Sequence, residues 1–295
     1  MSAPTKSPRI RKDTRPTPAF TKLSALIPDE NKLVFSTTAD LQTKIKEKMT
    51  EYLESETDCY MLITGVAGHI VEALYEELER YGIRKVTRFT YEQTMESLII
   101  RLMPGAPHEA LTRSFCFEVM DKVESIPGYS RFSLSTVGAT MFRFPGGRSK
   151  QGDAGFKPHD TRRRRHGGPS VMVEVGYSES LSALRCDAQW WLENTGGQTR
   201  MVIIIEISKH PNALGLECWQ MIGPNQGVHR KSIPRRSDYT QYFDIDHAGA
   251  VTPAGCDLVI PYRTLFDTSQ HGDPDIIVSA GELSEWARYV YDDFQ

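Results

Sequence analysis

No apolar run in this chain approaches the roughly 18 residues a transmembrane helix needs, so no membrane span is expected. No two cysteines stand in a CxxC pair. The five, Cys59, Cys116, Cys186, Cys218 and Cys256, are scattered and odd in number, which argues against a disulfide or zinc framework and for buried free thiols in a reducing compartment. No charge of one sign dominates: the formal net charge is −3, so any pull toward nucleic acid or an anionic membrane has to come from a local patch. The segment from Met1 to Ala19 lacks the hydrophobic centre of a secretory signal. An intracellular location, cytoplasmic or nuclear, is therefore expected. Neither a nucleophile elbow nor a catalytic triad spacing is present, and no internal repeat is evident.

What remains is ordinary for a globular protein: 295 residues, 39% hydrophobic and 25% charged, enough for one large domain or two modest ones. Residues 1–35 are rich in Pro, Thr and basic side chains and are expected to form a disordered basic arm. Residues 36–89 pattern as an N-terminal α/β extension. It holds a helix over Asp40–Glu54, a buried strand over Cys59–Thr64, a turn and helix over Gly65–Tyr81, and a short strand over Arg84–Phe89. Tyr91–Leu102 is expected to be helical, and Pro107 opens a helix running to about Glu124. The pattern then turns to strands: Arg131–Thr136, Ala139–Phe144, Asp153–Phe156 and Ser170–Val175. A helix over Ser180–Asn194 and a strand over Met201–Ile207, apolar enough to be covered on both faces, come next. Further strands fall at Leu214–Ile222, Ser237–Asp244 and Leu258–Ile260, and a closing helix at Glu282–Tyr291 lies within a C-terminal segment, 271–295, that packs on the core. This order implies a three-layer α/β arrangement around a central mixed β-sheet flanked by helices.

Two carboxylates stand out. Asp153 opens one strand and Glu174 sits inside the next, although a carboxylate in an apolar strand is costly to bury without a partner. If the strands pair as a hairpin, both acids project to one face and form a site for a hard divalent cation, Mg²⁺ or Mn²⁺. The plainer alternative is that Asp153 ends a strand and Glu174 pairs with an arginine.

The surroundings of these acids are Thr90-Tyr91-Glu92-Gln93-Thr94, Met103-Pro104-Gly105-Ala106-Pro107-His108, and the helix to Glu124. They continue through Gly152-Asp153-Ala154-Gly155-Phe156, Pro169 to Val175, the amphipathic helix and the Met201–Ile207 strand. In order and spacing this set resembles the PD-(D/E)XK (restriction-endonuclease-like) superfamily, in its branch similar to the Uma2-like nucleases. Asp257 to Phe266 also looks like the end of such a domain, giving a core over residues 90–270. The resemblance implies metal-dependent hydrolysis of phosphodiester bonds in DNA or RNA. Asp153 and Glu174 would be metal ligands, and Glu118, or else Glu109, the acid of the first helix, with His108 beside it.

One expected residue is missing. The superfamily places lysine two residues after the second acid, where it orients water and stabilises negative charge; here that residue is Gly176. In the Uma2-like branch a lysine on the following helix takes its place, but this helix carries only Arg185, Asp187 and Gln189. Arg185 would stabilise charge, though it is a poor base; Gln189 would hold a water, and Lys157 is a further substitute. Arg162, Arg163, Arg164 and Arg165, in the connection between the acid strands, form a basic patch suited to phosphate contacts or, alternatively, a solvated loop. The Gly65-Val66-Ala67-Gly68 turn reads as a plain strand-to-helix turn or, less well, as a dinucleotide-binding loop. Trp190 and Trp191 read as half-exposed and core respectively, or as a stacking surface. Two functions follow: a metal-dependent nuclease, or a catalytically degenerate fold that binds nucleic acid or protein.

Overall fold

The computed structural model describes residues 16–55, 59–80, 86–103, 106–163, 167–177, 180–209, 212–223, 236–268 and 273–293. The chain runs α1 (Pro18–Leu26), β1 (Lys32–Val34), α2 (Thr38–Ser55), β2 (Cys59–Thr64), α3 (Gly68–Arg80), β3 (Thr87–Glu92), β4 (Ser97–Leu102) and α4 (Ala106–Glu124). It continues with β5 (Leu134–Val137), β6 (Phe142–Phe144), β7 (Arg148–Lys150), β8 (Ala154–Pro158), β9 (Val171–Tyr177), α5 (Leu181–Asn194) and β10 (Met201–Lys209). Beyond these lie β11 (Asn212–Ile222), β12 (Arg236–Asp246), β13 (Val251–Thr252), β14 (Leu258–Ile260), α6 (Tyr262–Leu265), β15 (Ile276–Val278) and α7 (Ala280–Asp293). The class is mixed α/β, and among the described residues no helix is long and apolar enough to cross a membrane.

Two mixed sheets organise the molecule. One is ordered β1-β2-β4-β3-β7-β6, the other β13-β12-β11-β10-β9-β8-β5. In the second, β5, β8 and β9 pair antiparallel, and α5 carries the chain across so that β10 lies parallel to β9. Strand alternation explains the burial of β9 on both sides. Val171, Val173 and Val175 join the cluster under α4 and α7, whereas Met172 packs with the α5 residues Leu184, Trp190 and Trp191.

The first sheet is covered on one face by α2 and α3 through Leu41, Ile45, Val71, Leu74 and Leu78. Its other face turns toward the second sheet. Alternation along β3 and β4 sends Phe89, Tyr91, Leu98 and Ile100 to the α2–α3 side and leaves Arg88 and Arg101 for the opposite side.

Several expectations change. The disordered arm is too long as drawn: residues 1–15 lie outside the described residues, but 16–35 hold α1 and β1. Thr17 caps α1, with its hydroxyl accepting from Phe20 N–H, and Ala19, Phe20 and Leu23 bury beside α5. Tyr91–Leu102 is not a helix but part of the β3–β4 hairpin, turned at Glu96 with φ +46°. The apolar run Leu98-Ile99-Ile100 is too short to show a period that separates strand from helix, and the β-branched Ile99 and Ile100 fit the strand. The boundary at 89/90 also fails, because it cuts through β3 and the first sheet takes β4, β6 and β7 from beyond it. β2 and β3 run in the same direction through α3, but β4 pairs antiparallel between them, so the Gly65–Gly68 turn opens a split crossover rather than the adjacent parallel strands of a dinucleotide-binding unit.

Candidate functional site between the two sheets

Ala154 of β8 stands opposite Val173 of β9, which sets Asp153 opposite Glu174. The two expected acids therefore do meet. What surrounds them was not expected. In the β3–β4 ladder Arg88 stands directly opposite Arg101. Like charges in that position repel and need a counter-ion. Asp153 supplies it.

Asp153 Oδ2 accepts from the backbone N–H of Val175 (2.9 Å) and from Arg101 Nη1 (3.2 Å), and lies 3.0 Å from His108 Nε2. Its Oδ1 is 3.0 Å from Arg88 Nε, an ion-pair distance out of line for a hydrogen bond. Arg101 also reaches Glu174 Oε2 at 3.7 Å and donates to Val175 O. Glu174 Oε1 accepts from Trp191 Nε1 at 2.6 Å. Beside this cluster Lys150 donates to Thr90 Oγ1 (2.8 Å) and forms an ion pair with Asp187, which Tyr60 also approaches. Three basic side chains from the first sheet thus face three acids from β8, β9 and α5.

Burial raises the proton affinity of both opposed acids, but the outcomes differ. At Asp153 the charges of His108, Arg101 and Arg88 outweigh burial and hold the carboxyl well below its ordinary value. At Glu174 burial and the neighbouring charge of Asp153 win, pushing it up to about 8. Glu174 therefore carries a proton at neutral pH, an acceptor for Trp191 rather than a charge.

A divalent cation does not fit this arrangement. The space between the carboxylates is held by the Arg101 guanidinium, and one oxygen of each acid is already engaged. A hard cation binds several oxygens and would be repelled by the guanidinium. Among the described residues no group of three His, Cys, Asp or Glu side chains is arranged to hold a metal ion.

His108 joins the site from the first turns of α4, but the other expected residues do not. Glu118 faces α7, in a pocket with Glu285 and Trp286, and burial, then Asp121, raises its pKa. Ten positions from His108, at 100° per residue, it has turned about 80° off that face. Glu109 is exposed on the rim of a groove next to the site. Arg185 points to β11, paired with Glu217, and Gln189 accepts from Lys22 of α1 at 3.3 Å. Lys157 lies four residues along β8, about 13 Å from Asp153.

The basic patch is also displaced. It connects the far ends of β8 and β9, at the opposite end of the hairpin from Asp153. Arg162 is consumed by Asp267 and by the carbonyls of Gly168 and Gln198, and Arg163 pairs with Asp160. Arg164 and Arg165 lie outside the described residues. Trp190 and Trp191 are both buried, so neither offers a stacking surface. None of the five cysteines forms a disulfide, but only Cys59, Cys186 and Cys218 are buried; Cys116 is half-buried and Cys256 exposed.

The cluster opens onto the surface beside α4. A groove of about 1130 Å³ between α4 and β5 has Arg88, His108 and Asp153 on its floor. Arg113 and Arg131 line it, and so do the exposed rings of Phe117 and Phe132. No family model matches the chain, and no curated protein matches it.

Proposed function

We propose that the chain has a restriction-endonuclease-like core that has lost metal-dependent catalysis and works by binding a macromolecule at the α4–β5 groove. The order α4, antiparallel β5–β8–β9, crossover α5 and parallel β10 supports that core. The observation that carries the loss of catalysis is Arg101, whose guanidinium stands within 3.2 Å of Asp153 and 3.7 Å of Glu174 where a cation would have to sit. Gly176 in place of the expected lysine agrees with it.

The test is cleavage of plasmid DNA, single-stranded DNA and RNA in Mg²⁺ or Mn²⁺ by the wild type and by Asp153→Asn. Equal, background-level cleavage by both is expected. Cleavage by the wild type that Asp153→Asn abolishes would overturn the proposal.

A second reading, the nuclease that acts on DNA or RNA, is favoured by Lys150. This lysine, three residues before Asp153, is near enough to Glu174 to oppose the rise in its pKa, so a lysine attends the acids although Gly176 is not one. On that reading Lys150→Met loses cleavage together with Asp153→Asn.

A further inference from the structure

The groove has a feature that a sheet face or an apolar hollow lacks: an unpaired strand edge. β5 is the last strand of its sheet, and among the described residues it pairs only with β8. The register sets Ser133 opposite His159, and His159 N–H donates to Ser133 O at 2.9 Å. In an antiparallel ladder such bonded pairs alternate. The Ser133 carbonyl and the backbone groups of Ser135 and Val137 therefore face β8, the Ser133 N–H donating instead to Ser130 O, and Leu134 and Thr136 turn theirs to the open edge. Residues Leu134 to Ala139 all line the groove, with α4 as the facing wall.

We propose, building on the binding role above, that this groove takes an extended polypeptide segment of a partner protein, added as a further strand on the free edge of β5. Main-chain hydrogen bonds to Leu134 and Thr136 would set its register, with alternate apolar side chains against Phe132, Phe117 and Met120. Phe117 is 61% and Phe132 74% exposed, the kind of aromatic anchor that protein interfaces use.

Charge favours this occupant over nucleic acid. The exposed rim of the groove carries Glu109, Asp121 and Glu124 against Arg113 and Arg131, with Arg131 drawn to Glu124 at 3.5 Å, while on the floor Asp153 is already met by Arg88, Arg101 and His108. A polyanion needs a surplus of basic groups, and the rim has none. The complementary segment is one with a basic residue among its apolar ones.

The probe is a fluorescein-labelled peptide selected from a phage-displayed library of short random sequences panned on the full chain. Thr136→Pro is the diagnostic variant. It removes an outward-facing donor and leaves the β8 ladder intact, the position in which an edge strand tolerates proline. Expected are peptides that bind the wild type, bind Thr136→Pro about tenfold more weakly, and slow amide exchange at Leu134 and Thr136. Phe132→Ala, which leaves the strand untouched, should weaken the same peptides. Failure to recover any binding peptide would overturn the inference, as would peptides that bind both variants like the wild type. So would a labelled single-stranded oligonucleotide that binds in the groove and displaces the peptide. These outcomes are independent of the cleavage test: absence of peptide binding in a chain that does not cut leaves the catalytic loss standing.

Discussion

Replacing Glu174 with glutamine isolates the most unusual electrostatic feature of the buried cluster. Glu174 is 1% exposed, and its pKa is raised from 4.5 to about 8 by burial and by Asp153. A group whose folded pKa is raised stabilises most fully below its unfolded value, and that stability is lost as pH rises through the folded value. Above about pH 4.5 the unfolded chain releases the proton that the folded chain retains. Each pH unit from there to about 8 then removes up to about 1.4 kcal/mol, a ceiling of about 5 kcal/mol over the window. Glutamine cannot ionise, and its carbonyl keeps an acceptor for Trp191 Nε1. Urea unfolding, followed by the fluorescence of four tryptophans that are all buried, measures the difference at pH 5, 6, 7 and 8. Glu174→Gln should gain on the wild type steadily with pH, by up to about 2 M in urea midpoint at pH 8 for a slope of 2–3 kcal/mol/M. Histidine titrations elsewhere cancel in the comparison. Parallel curves from pH 5 to 8, or a glutamine variant less stable at pH 8, would mean that Glu174 is ionised and paired with Arg101, and the reasoning would fail.

Other perturbations follow from the same contacts. Arg101→Met strips a buried guanidinium from Asp153 and should cost about 3–5 kcal/mol in urea unfolding at pH 7. Arg185→Ala strips the guanidinium from buried Glu217, which still accepts from Trp219 Nε1, and should cost about 2–3 kcal/mol, without altering the pH dependence assigned to Glu174. Asp267 is also buried enough to raise its pKa, but hydrogen bonds from Arg162, Thr161 and Arg200 prevail and hold it far below the ordinary carboxylate range. Its contribution is present above about pH 4 and lost as pH falls, so Asp267→Asn should flatten the acid limb of the stability curve measured by thermal melts.

How much of this was legible beforehand can be traced residue by residue. The strands carrying Asp153 and Glu174 announced themselves because a carboxylate beside Val173 and Val175 contradicts its neighbours, and the helix after Tyr177 showed a clear apolar face. Their partners did not announce themselves. Arg101 follows Leu98-Ile99-Ile100, an apolar run too short to show the strand period that turns it inward. Lys150 lies on a three-residue strand, too short to leave a pattern. Both lie on strands of the first sheet, only part of which fell within the expected extension, and only the packing of two sheets shows that its cations close over the acids of the other. The signal available in the sequence was Arg101, a single charge between Ile100 and Leu102, with Arg88 between Thr87 and Phe89 as its counterpart. Glu118 was misplaced for a different reason. A helix wheel says which residues share a face, but ten positions along an α-helix is far enough for that face to turn away. The run of arginines was legible as a charge cluster, while its position at the far end of the hairpin and the hold of Asp267 on Arg162 are tertiary facts.

The central claim is that Arg101 holds the place of a metal ion between Asp153 and Glu174. Electron paramagnetic resonance of Mn²⁺ titrated into the wild type and into Asp153→Asn measures this directly. The account predicts the same weak, non-saturating uptake by both proteins. Saturable binding of one ion by the wild type that disappears in Asp153→Asn would contradict it.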